Sequence, residues 1–473
     1  MMRLLLISPL AAAAVALAVR SPRKAALGTF AGAVGLLVGA AVLSRSLPAR
    51  AWGDLLLLDE LGMYFLAIVV GVHFVCSIYT FGYFRREMEH GGIDAHKVRK
   101  YHIWINLFVF SMVVVACSHH LAIQWIAVEA TTLFSAPLIY LRGDRKGMEA
   151  AWKYLLICSV GIAFAFLGII FLSRAAGEVS LTYTAISREA NRFDPRFLRL
   201  AFLFFLVGYG TKMGLAPMHT WLPDAHSQAP APASAMLSGV LLNCAFLSIL
   251  RVVPAVPGDY AAPLMILFGI ASIAVPALLV AVQRDIKRLL AFSSIENMGI
   301  ACLGIGFGGA AKPAALLHVL NHSIVKVLLF LVAGDLILRY GTQRIRKIRA
   351  VLRQAPLSGF LLFGGLLAIA GSPPFGSFWS KFGVLAGGVA GGNVAVSFLY
   401  LALLAVLFGS FLVHGSNMAL GEGELQSRPM TASEWCCLLP ACALLLASAC
   451  LGLHVPQGLY EVLERLSTAV TFS

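Results

Sequence analysis

The sequence predicts an all-α integral membrane protein, a helical bundle with about fourteen transmembrane helices. Of its 473 residues, 59% are apolar and only 12% are Asp, Glu, Lys or Arg, and the mean hydropathy is +0.85. Soluble multidomain proteins, disordered chains and coiled coils all carry more charge than this. The apolar residues form long continuous runs without the alternation of a membrane β-barrel, so helices are the structure that satisfies their backbone groups in lipid.

Fourteen apolar runs are long enough to cross a bilayer as helices of about 15–25 residues. The first half of the chain contains seven spans, at 4–19, 25–43, 61–84, 103–117, 121–141, 154–172 and 200–215. The second half contains seven more, at 233–250, 264–282, 289–307, 314–338, a divided stretch at 357–389, 394–413 and 435–453. For the first run a cleaved signal peptide is the alternative, because basic, apolar and small residues follow one another in the order that such peptides show.

The Lys and Arg residues are distributed unevenly among the connections between spans. The odd-numbered connections hold 22 of the 36 and the even-numbered connections hold 9. Because Lys and Arg concentrate in cytoplasmic loops, the odd connections are predicted to be cytoplasmic and both termini to face outward. The net charge of +14 is therefore attributed to loop asymmetry, and no nucleic-acid partner is expected.

Three lysines lie inside predicted spans, at Lys212, Lys326 and Lys381, and Glu129 also lies in the middle of a span. A charge at the centre of a bilayer costs about 2.5–3.5 kcal/mol on insertion scales, so a functional role is the first hypothesis. The alternative is a lysine near a helix end that extends its ammonium group to the interface.

Helix-breaking residues adjoin two of these lysines. Lys212 precedes one break and Lys381 follows another. The prolines in these breaks are Pro217, Pro373 and Pro374. Broken spans at corresponding positions of two halves indicate a transport site between inverted repeats. Spans 4–8 and 9–13 form two such sets with the broken span fourth in each, so the sequence predicts two inverted five-helix repeats.

The predicted spans divide the chain into four units. An N-terminal three-helix segment covers 1–102, the first five-helix repeat 103–250, the second 251–413, and a C-terminal helix and tail 414–473. Each repeat is predicted to contain a proton half-channel, because a broken helix frees carbonyls that need polar partners or water. Glu129 is the expected carboxylate partner of Lys212, since it lies in the middle of the fifth span beside two threonines.

Span 11 carries His318, His322 and Lys326 at positions i, i+4 and i+8 of one helix face. Histidine titrates near neutral pH, so this spacing favours a proton relay. Two alternatives are histidines bonded within the core and a zinc site, although a neighbouring lysine repels metal ions. The nine cysteines are scattered without a C-x-x-C pair, so neither a metal nor a redox cofactor is expected.

Five further segments carry a family resemblance and occur in order across residues 103–413. They are Trp125-Ile-Ala-Val-Glu129-Ala, Gly210-Thr-Lys212-Met-Gly-Leu-Ala-Pro-Met-His-Thr-Trp-Leu-Pro-Asp-Ala-His226, Lys287-Arg-Leu-Leu-Ala-Phe-Ser-Ser294, His318-Val-Leu-Asn-His322-Ser-Ile-Val-Lys326 and Gly371-Ser-Pro-Pro-Phe-Gly-Ser-Phe-Trp-Ser-Lys381. These segments resemble the antiporter-like membrane subunits shared by respiratory complex I, Mrp-type Na+/H+ antiporters and group 4 membrane-bound nickel–iron hydrogenases. Within that family the sequence is most similar to the F-type subunits of hydrogenase-4.

The resemblance implies a proton-translocating subunit without a catalytic centre of its own. It assigns proton transfer to Glu129, Lys212, His318, His322, Lys326 and Lys381. Secondary candidates are His219, Asp224 and His226 in the long matching segment, together with Asn243 and Glu296. Several relatives carry a lysine where this chain has Asn243, and an amide does not exchange a proton at ordinary pH. Glu296 in span 10 is the candidate substitute.

The resemblance also implies the setting of the protein. It implies neighbouring membrane subunits, a hydrophilic redox arm reached through them, and H+ or Na+ as the transported ion, in the cell membrane of a bacterium or archaeon. Redox chemistry in a hydrogenase-4, formate hydrogenlyase-type or other complex I-like enzyme would then move protons toward Lys381. Two alternatives are a secondary Na+/H+ antiporter subunit of Mrp type and a structural subunit that no longer conducts, for which Asn243 is the best evidence.

Overall fold

A computed structural model describes residues 2–53, 55–423 and 430–472, and its backbone is almost entirely helical. The helices are α1 (Met2–Ala18), α2 (Pro22–Leu43), α3 (Glu60–Glu89), α4 (Ala95–Cys117), α5 (Leu121–Ile139), α6 (Arg145–Ala176), α7 (Tyr183–Glu189), α8 (Pro195–Met213), α9 (Trp221–Gln228), α10 (Ala231–Met236), α11 (Leu242–Leu250), α12 (Gly258–Leu279), α13 (Ile286–Phe307), α14 (Ala311–Tyr340), α15 (Val351–Gln354), α16 (Pro356–Ala370), α17 (Gly376–Ala390), α18 (Val394–Leu420), α19 (Ala432–Leu453) and α20 (Gln457–Ala469). Short 3-10 turns cover Ala190–Arg192, Val253–Ala255, Val280–Val282 and Ile345–Lys347, and a π-helical turn at Leu237–Leu241 joins α10 to α11.

Eleven helical segments among the described residues are long and apolar enough to cross a membrane. They comprise α2 to α6, the continuous α10–α11 segment, α12 to α14, α18 and α19. The prediction of an all-helical, multi-pass membrane protein is confirmed. The other three predicted spans correspond to α1, to α8, and to the pair α16 and α17, whose two halves have 15 residues each.

Aspartate side chains begin several of the long helices. Asp59, Asp94, Asp144, Asp194 and Asp285 each accept a hydrogen bond from a first-turn backbone N–H, at 2.7 to 3.1 Å. A carboxylate at this position satisfies a free amide and complements the positive end of the helix dipole. The polar residues at the ends of the apolar runs therefore determine where these helices start.

The centre of the bundle is formed by α13 and α14. In the most apolar 18-residue stretch of α13 every residue is buried, whereas in the most apolar stretch of α18 only 28% of the residues are buried. Helix α13 packs against α9, α12, α14 and α17, while α14 also contacts α3, α10, α16 and α19. The helix with the lysine and histidine pattern thus lies in the middle of the protein, surrounded by other helices.

Two features were not predicted from the sequence. The connection between α2 and α3 forms an antiparallel hairpin of strands β1 (Ala49–Ala51) and β2 (Leu56–Leu58). The strongly amphipathic helix α20 follows α19 and packs on α3 and α14. The predicted connection between spans 13 and 14 includes residues 424–429, which lie outside the described residues.

Candidate functional site

Lys212, at the end of α8, is fully buried beside α5 and α6. Its Nζ donates hydrogen bonds to Thr132 Oγ1 at 2.6 Å and to the Tyr154 hydroxyl at 2.7 Å, and lies 4.8 Å from the centroid of the Tyr154 ring. The Tyr154 hydroxyl is also 2.7 Å from Ser135 Oγ. Two hydroxyl groups and an aromatic face therefore surround the ammonium group.

Glu129 lies one turn before Thr132 on α5 and is only half-buried. Its carboxylate accepts hydrogen bonds from Ser159 Oγ at 2.7 Å and from Thr132 Oγ1 at 3.4 Å. Among the described residues no direct ion pair joins Glu129 to Lys212. The Thr132 hydroxyl instead lies between the two charged groups and contacts both.

The helix breaks beside Lys212 and Lys381 have the same backbone geometry. Helix α8 ends at Gly214, with φ of 81°, and α16 ends at Gly371, with φ of 92°. In each break the N–H of the glycine donates to the backbone carbonyl three residues earlier, at 3.1 Å. The N–H of the residue after the glycine donates to the carbonyl five residues before it, at 2.8 Å after Gly214 and at 3.0 Å after Gly371. This is a Schellman-type cap, which requires a left-handed residue and so favours glycine. Pro217 lies in the segment between α8 and α9, and Pro373 and Pro374 lie between α16 and α17.

Lys381 in α17 forms a buried ion pair with Glu296 of α13. Lys381 Nζ lies 2.7 Å from Glu296 Oε1, and at most 5% of either side chain is exposed. The same ammonium group donates to the Ile369 carbonyl at 2.8 Å, and its alkyl chain lies over Gly371. The carbonyls freed at the end of α16 thus help to bind the cation that the break brings near them.

His318, His322 and Lys326 of α14 are all fully buried. His318 Nδ1 lies 3.0 Å from Ser380 Oγ, in the residue next to Lys381. His322 Nε2 lies 3.3 Å from the Ser238 carbonyl. Lys326 Nζ donates to Ser293 Oγ at 2.5 Å and to the Leu290 carbonyl. Helix α14 therefore presents titratable groups to both α13 and α17.

Asn243 lies between the Lys212 cluster and α14. Its Nδ2 donates to Ser323 Oγ at 2.7 Å and to the Gly239 carbonyl at 2.9 Å. Among the described residues no hydrogen bond connects Lys212 to Asn243 or to α14. Several buried polar atoms along this line have no partner in the part of the chain that the structure describes, namely Asn243 Oδ1, Glu296 Oε2, Asn297 Oδ1, His318 Nε2, Asn321 Oδ1 and Nδ2, and His322 Nδ1.

The secondary candidates near α9 do not form a single cluster. His219 is half-buried in the break before α9. Asp224 forms ion pairs with Lys153, at 3.5 Å, and with Arg288. His226 is buried and stacks on Phe330, with the ring centroids 4.9 Å apart, and no described residue bonds to its ring nitrogens. In the described part of the chain no group of three or more His, Cys, Asp or Glu side chains is arranged to hold a metal ion.

Comparison with known proteins identifies the family. Residues 118–412 match the NADH:quinone oxidoreductase/Mrp antiporter transmembrane family. The chain belongs to this family. A hydrogenase-4 component F homologue of Methylacidiphilum infernorum is 34% identical over 426 residues, which cover 88% of each chain. Hydrogenase-4 component B of Escherichia coli is 30% identical over 365 residues, covering 73% of this chain and 53% of that protein.

Chains in solved membrane complexes share the fold. A chain of the Mrp complex from a Dietzia species has a TM-score of 0.86 and 20% identity, covering 99% of this chain and 96% of its own. A chain of respiratory complex I from Thermus thermophilus has a TM-score of 0.78 and 24% identity, covering 96% of both chains. The protein is thus an antiporter-like membrane subunit of the family that includes hydrogenase-4, complex I and Mrp proteins.

Sequence reasoning did not identify several buried charges in this family member. Lys287 falls in a predicted loop, yet it is 1% exposed and its Nζ donates to the Ala229 carbonyl at 2.5 Å. Asp335, inside the span of α14, forms an ion pair with the buried Arg86 of α3. Glu434 of α19 lies 3.4 Å from the same arginine. Asp335 was open to detection, because it is an acidic residue within an apolar run.

Proposed function

We propose that this chain is the proton-translocating subunit of a multisubunit redox complex, without a catalytic centre of its own. The observation that carries the proposal is the line of titratable side chains through α5, α8, α13, α14 and α17, all buried except for the half-buried Glu129 of α5. Uncompensated charges are costly at this depth, and intramembrane ionisable residues that face a bundle interior commonly mark ion pathways. The groups in this line are Glu129, Lys212, His318, His322, Lys326, Lys381 and Glu296.

In the proposed mechanism a proton moves between two charged clusters. The first consists of Glu129, Thr132 and Lys212, where the threonine hydroxyl contacts both charged groups and can pass a proton between them. The second is the Lys381–Glu296 ion pair, which His318 approaches through Ser380. We assign Glu296 to this second cluster, as the partner of Lys381, and not as a replacement for the lysine that relatives carry in the eighth span.

Water is proposed to connect the clusters across Asn243. Buried polar atoms without a protein partner usually bind ordered water in native structures, and such atoms line this part of the bundle. Asn243 cannot itself exchange a proton, but its amide can orient a water molecule toward Ser323 and His322. His219, Asp224 and His226 are proposed to border the access route on the α9 side.

We further propose fourteen membrane spans with two inverted five-helix repeats. The matching glycine caps at Gly214 and Gly371 support equivalent positions for the two breaks. The proposed units are 1–102, 103–250, 251–413 and 414–473. The first and last boundaries fall within α4 and α18, so those helices belong as a whole to the first and second repeats.

The proposed orientation follows the distribution of Lys and Arg, with the odd connections in the cytoplasm and both termini outside. We infer that the neighbouring subunits include a hydrophilic redox arm and that the parent complex is of hydrogenase-4 type. Similarity to a hydrogenase-4 component F homologue over 88% of both chains supports this inference. H+ is the proposed ion, with Na+ as the alternative.

The proposal is tested by replacing Lys212 with methionine in the assembled complex. Everted membrane vesicles would be energised by the electron donor of the parent complex, and proton uptake would be followed with a pH-sensitive dye. We expect K212M to abolish coupled proton uptake while the complex still assembles. The control is K312M, because Lys312 lies at the start of α14, where its ammonium group bonds to the exposed Thr471.

Three outcomes separate the proposed function from its rivals. Unchanged proton uptake in K212M would contradict the assignment of Lys212. Proton movement that requires a Na+ gradient and not electron transfer would favour a secondary antiporter. Unchanged coupling after substitution of every buried charge in the line would support a structural subunit that does not conduct.

A further inference from the structure

A groove distinct from the buried charges opens between α2, α3, α4 and α19. Its volume is about 420 Å³, and most of its wall is apolar. Leu27, Phe81, Met88 and Val98 are among the lining side chains. Leu27 is 57% exposed, so the groove opens to the outside of the bundle.

The charged residues that line this groove are all cations. Arg23 and Arg85 lie on its wall, and none of the described residues that line it is acidic. Arg85 forms an ion pair with Glu89, whose carboxylate lies 3.0 Å from the guanidinium group, and 56% of each side chain is exposed. An ion pair this exposed is weak in water and leaves the arginine available to another anion.

The beginning of α2 adds to the positive potential at the same end. Ser21 precedes the helix but its side chain makes no capping hydrogen bond, and Pro22 has no N–H. The amides of Arg23 and Lys24 therefore lie in an uncapped first turn, where backbone N–H groups attract anions.

A buried histidine with one free ring nitrogen lies in the wall of the groove. His102 is fully buried, and its Nδ1 is 3.0 Å from Thr29 Oγ1. Its Nε2 has no partner among the described residues. His102 lies two helical turns from the start of α4, whereas Arg23 and Arg85 lie within about one turn of the ends of their helices.

We propose that the groove binds an anionic phospholipid, with its phosphate at Arg23 and Arg85 and the start of one acyl chain along Leu27 and Phe81. Basic sites between membrane helices recognise anionic headgroups in this way. The groove follows α3 from Thr80 to Met88, or about 12 Å at 1.5 Å per residue. The part below the phosphate, from Arg85 back to Thr80, is about 7.5 Å long and fits the first carbons of an acyl chain, whereas a membrane-spanning helix from another subunit would need a surface of about 30 Å. This site does not depend on the proposed proton path.

Native mass spectrometry of the full-length chain tests the proposal. Detergent-solubilised protein would be mixed with equal amounts of phosphatidylglycerol and phosphatidylcholine. We expect the wild type to retain phosphatidylglycerol selectively and R23Q/R85Q to lose that selectivity by about 30-fold, since each arginine contributes roughly fivefold to anionic-lipid affinity. The control R174Q/R199Q removes the same charge elsewhere and should keep the selectivity.

A second variant tests the apolar part of the groove without changing charge. We expect L27W to fill the opening and lower phosphatidylglycerol retention, and it replaces the arginine variant as the test if that variant does not fold. The proposal is overturned if both groove variants retain the lipid as the wild type does, or if the control loses it equally. It is also overturned if a photo-crosslinker on Cys436 in the assembled complex couples to a polypeptide and not to phospholipid.

Discussion

The contact between Thr132 and the two charged groups of the first cluster leads to a specific prediction. Thr132→Val removes the hydroxyl and keeps the shape of the side chain. Its Oγ1 lies 2.6 Å from Lys212 Nζ and 3.4 Å from Glu129 Oε2, so the valine breaks both contacts at once. We expect coupled proton translocation to fall strongly in this variant.

The magnitude follows from the hydrogen bonds of Lys212. Its ammonium group has two protein hydrogen bonds, and T132V removes one while leaving the contact with the Tyr154 hydroxyl. A hydrogen bond to a charged group contributes about 1.5–3 kcal/mol. Since about 1.4 kcal/mol corresponds to a tenfold change, the predicted decrease in the rate of proton transfer is roughly 10- to 150-fold.

The assay is proton uptake into everted vesicles containing the assembled complex, normalised to electron transfer. The matched control is Thr131→Val, at the neighbouring position on α5. Thr131 is equally buried, but its Oγ1 donates to the Val128 carbonyl at 2.6 Å and contacts neither charged group. We expect T131V to remain within about threefold of the wild type, because only one local side-chain-to-backbone bond is lost.

A specific pattern of results would refute this reasoning. If T132V kept wild-type coupling, the threonine hydroxyl would not connect Glu129 to Lys212 in the working protein. If T131V and T132V lost coupling equally, the effect would come from the packing of α5. A water molecule that restored transfer in T132V would show as coupling with an altered solvent isotope effect.

Three other predictions concern stability, measured by thermal unfolding in detergent. E296Q or K381M alone should destabilise the protein by about 3–5 kcal/mol, because each leaves a buried partner charge uncompensated. The double variant should lose less stability than the sum of the two single losses, and additive losses would argue against the ion pair. G371A should lower the free energy of unfolding by more than about 1 kcal/mol, because the φ of Gly371 is 92° and a methyl group there would lie 2.9 Å from the Lys381 side chain. The control G409A, in open space on α18, should be neutral or slightly stabilising. Equal effects of the two substitutions would contradict this prediction. Burial, the largest single influence, raises the pKa of Asp59, but the charge of Arg251 and the hydrogen bonds from Arg251 and the Gly62 amide together lower it by more, so the net pKa is below the ordinary value. This contribution is present above the unfolded-state pKa of about 3.9 and is lost as the pH falls below it, so D59N should unfold with weaker acid dependence there than the wild type.

The order of the long apolar helices followed from the sequence, although their ends did not, since the predicted span 154–172 lies within the 32-residue α6. Each predicted span coincides with a helix or a broken pair of helices, because an apolar run in lipid must satisfy its backbone groups internally. The hairpin between α2 and α3 was missed, since three-residue strands carry almost no periodic signal. Helix α20 was also missed, because its amphipathic pattern lacks the uniform hydrophobicity of a membrane span.

The pairing of charges did not follow from the sequence. Glu129 was expected to be the carboxylate partner of Lys212, but the sequence did not indicate that the Thr132 hydroxyl lies between them. Lys381 and Glu296 lie 85 positions apart and on different helices, and no local spacing relates them. Lys287, in a basic cluster typical of a cytoplasmic loop, is buried because α13 begins inside the bundle.

By itself, therefore, the sequence determined that this is a multi-pass helical membrane protein with charges inside its spans and glycine–proline breaks in two of them. Those properties are local, since hydropathy, helix termination and the cost of a charge in lipid depend on a short stretch of chain. Only the tertiary structure decided which cation meets which carboxylate and which hydroxyl lies between them. Those contacts depend on the rotation and packing of helices that are distant in the sequence. A small difference in the separation of a cation and a carboxylate decides whether they form a direct ion pair or are bridged by a hydroxyl group.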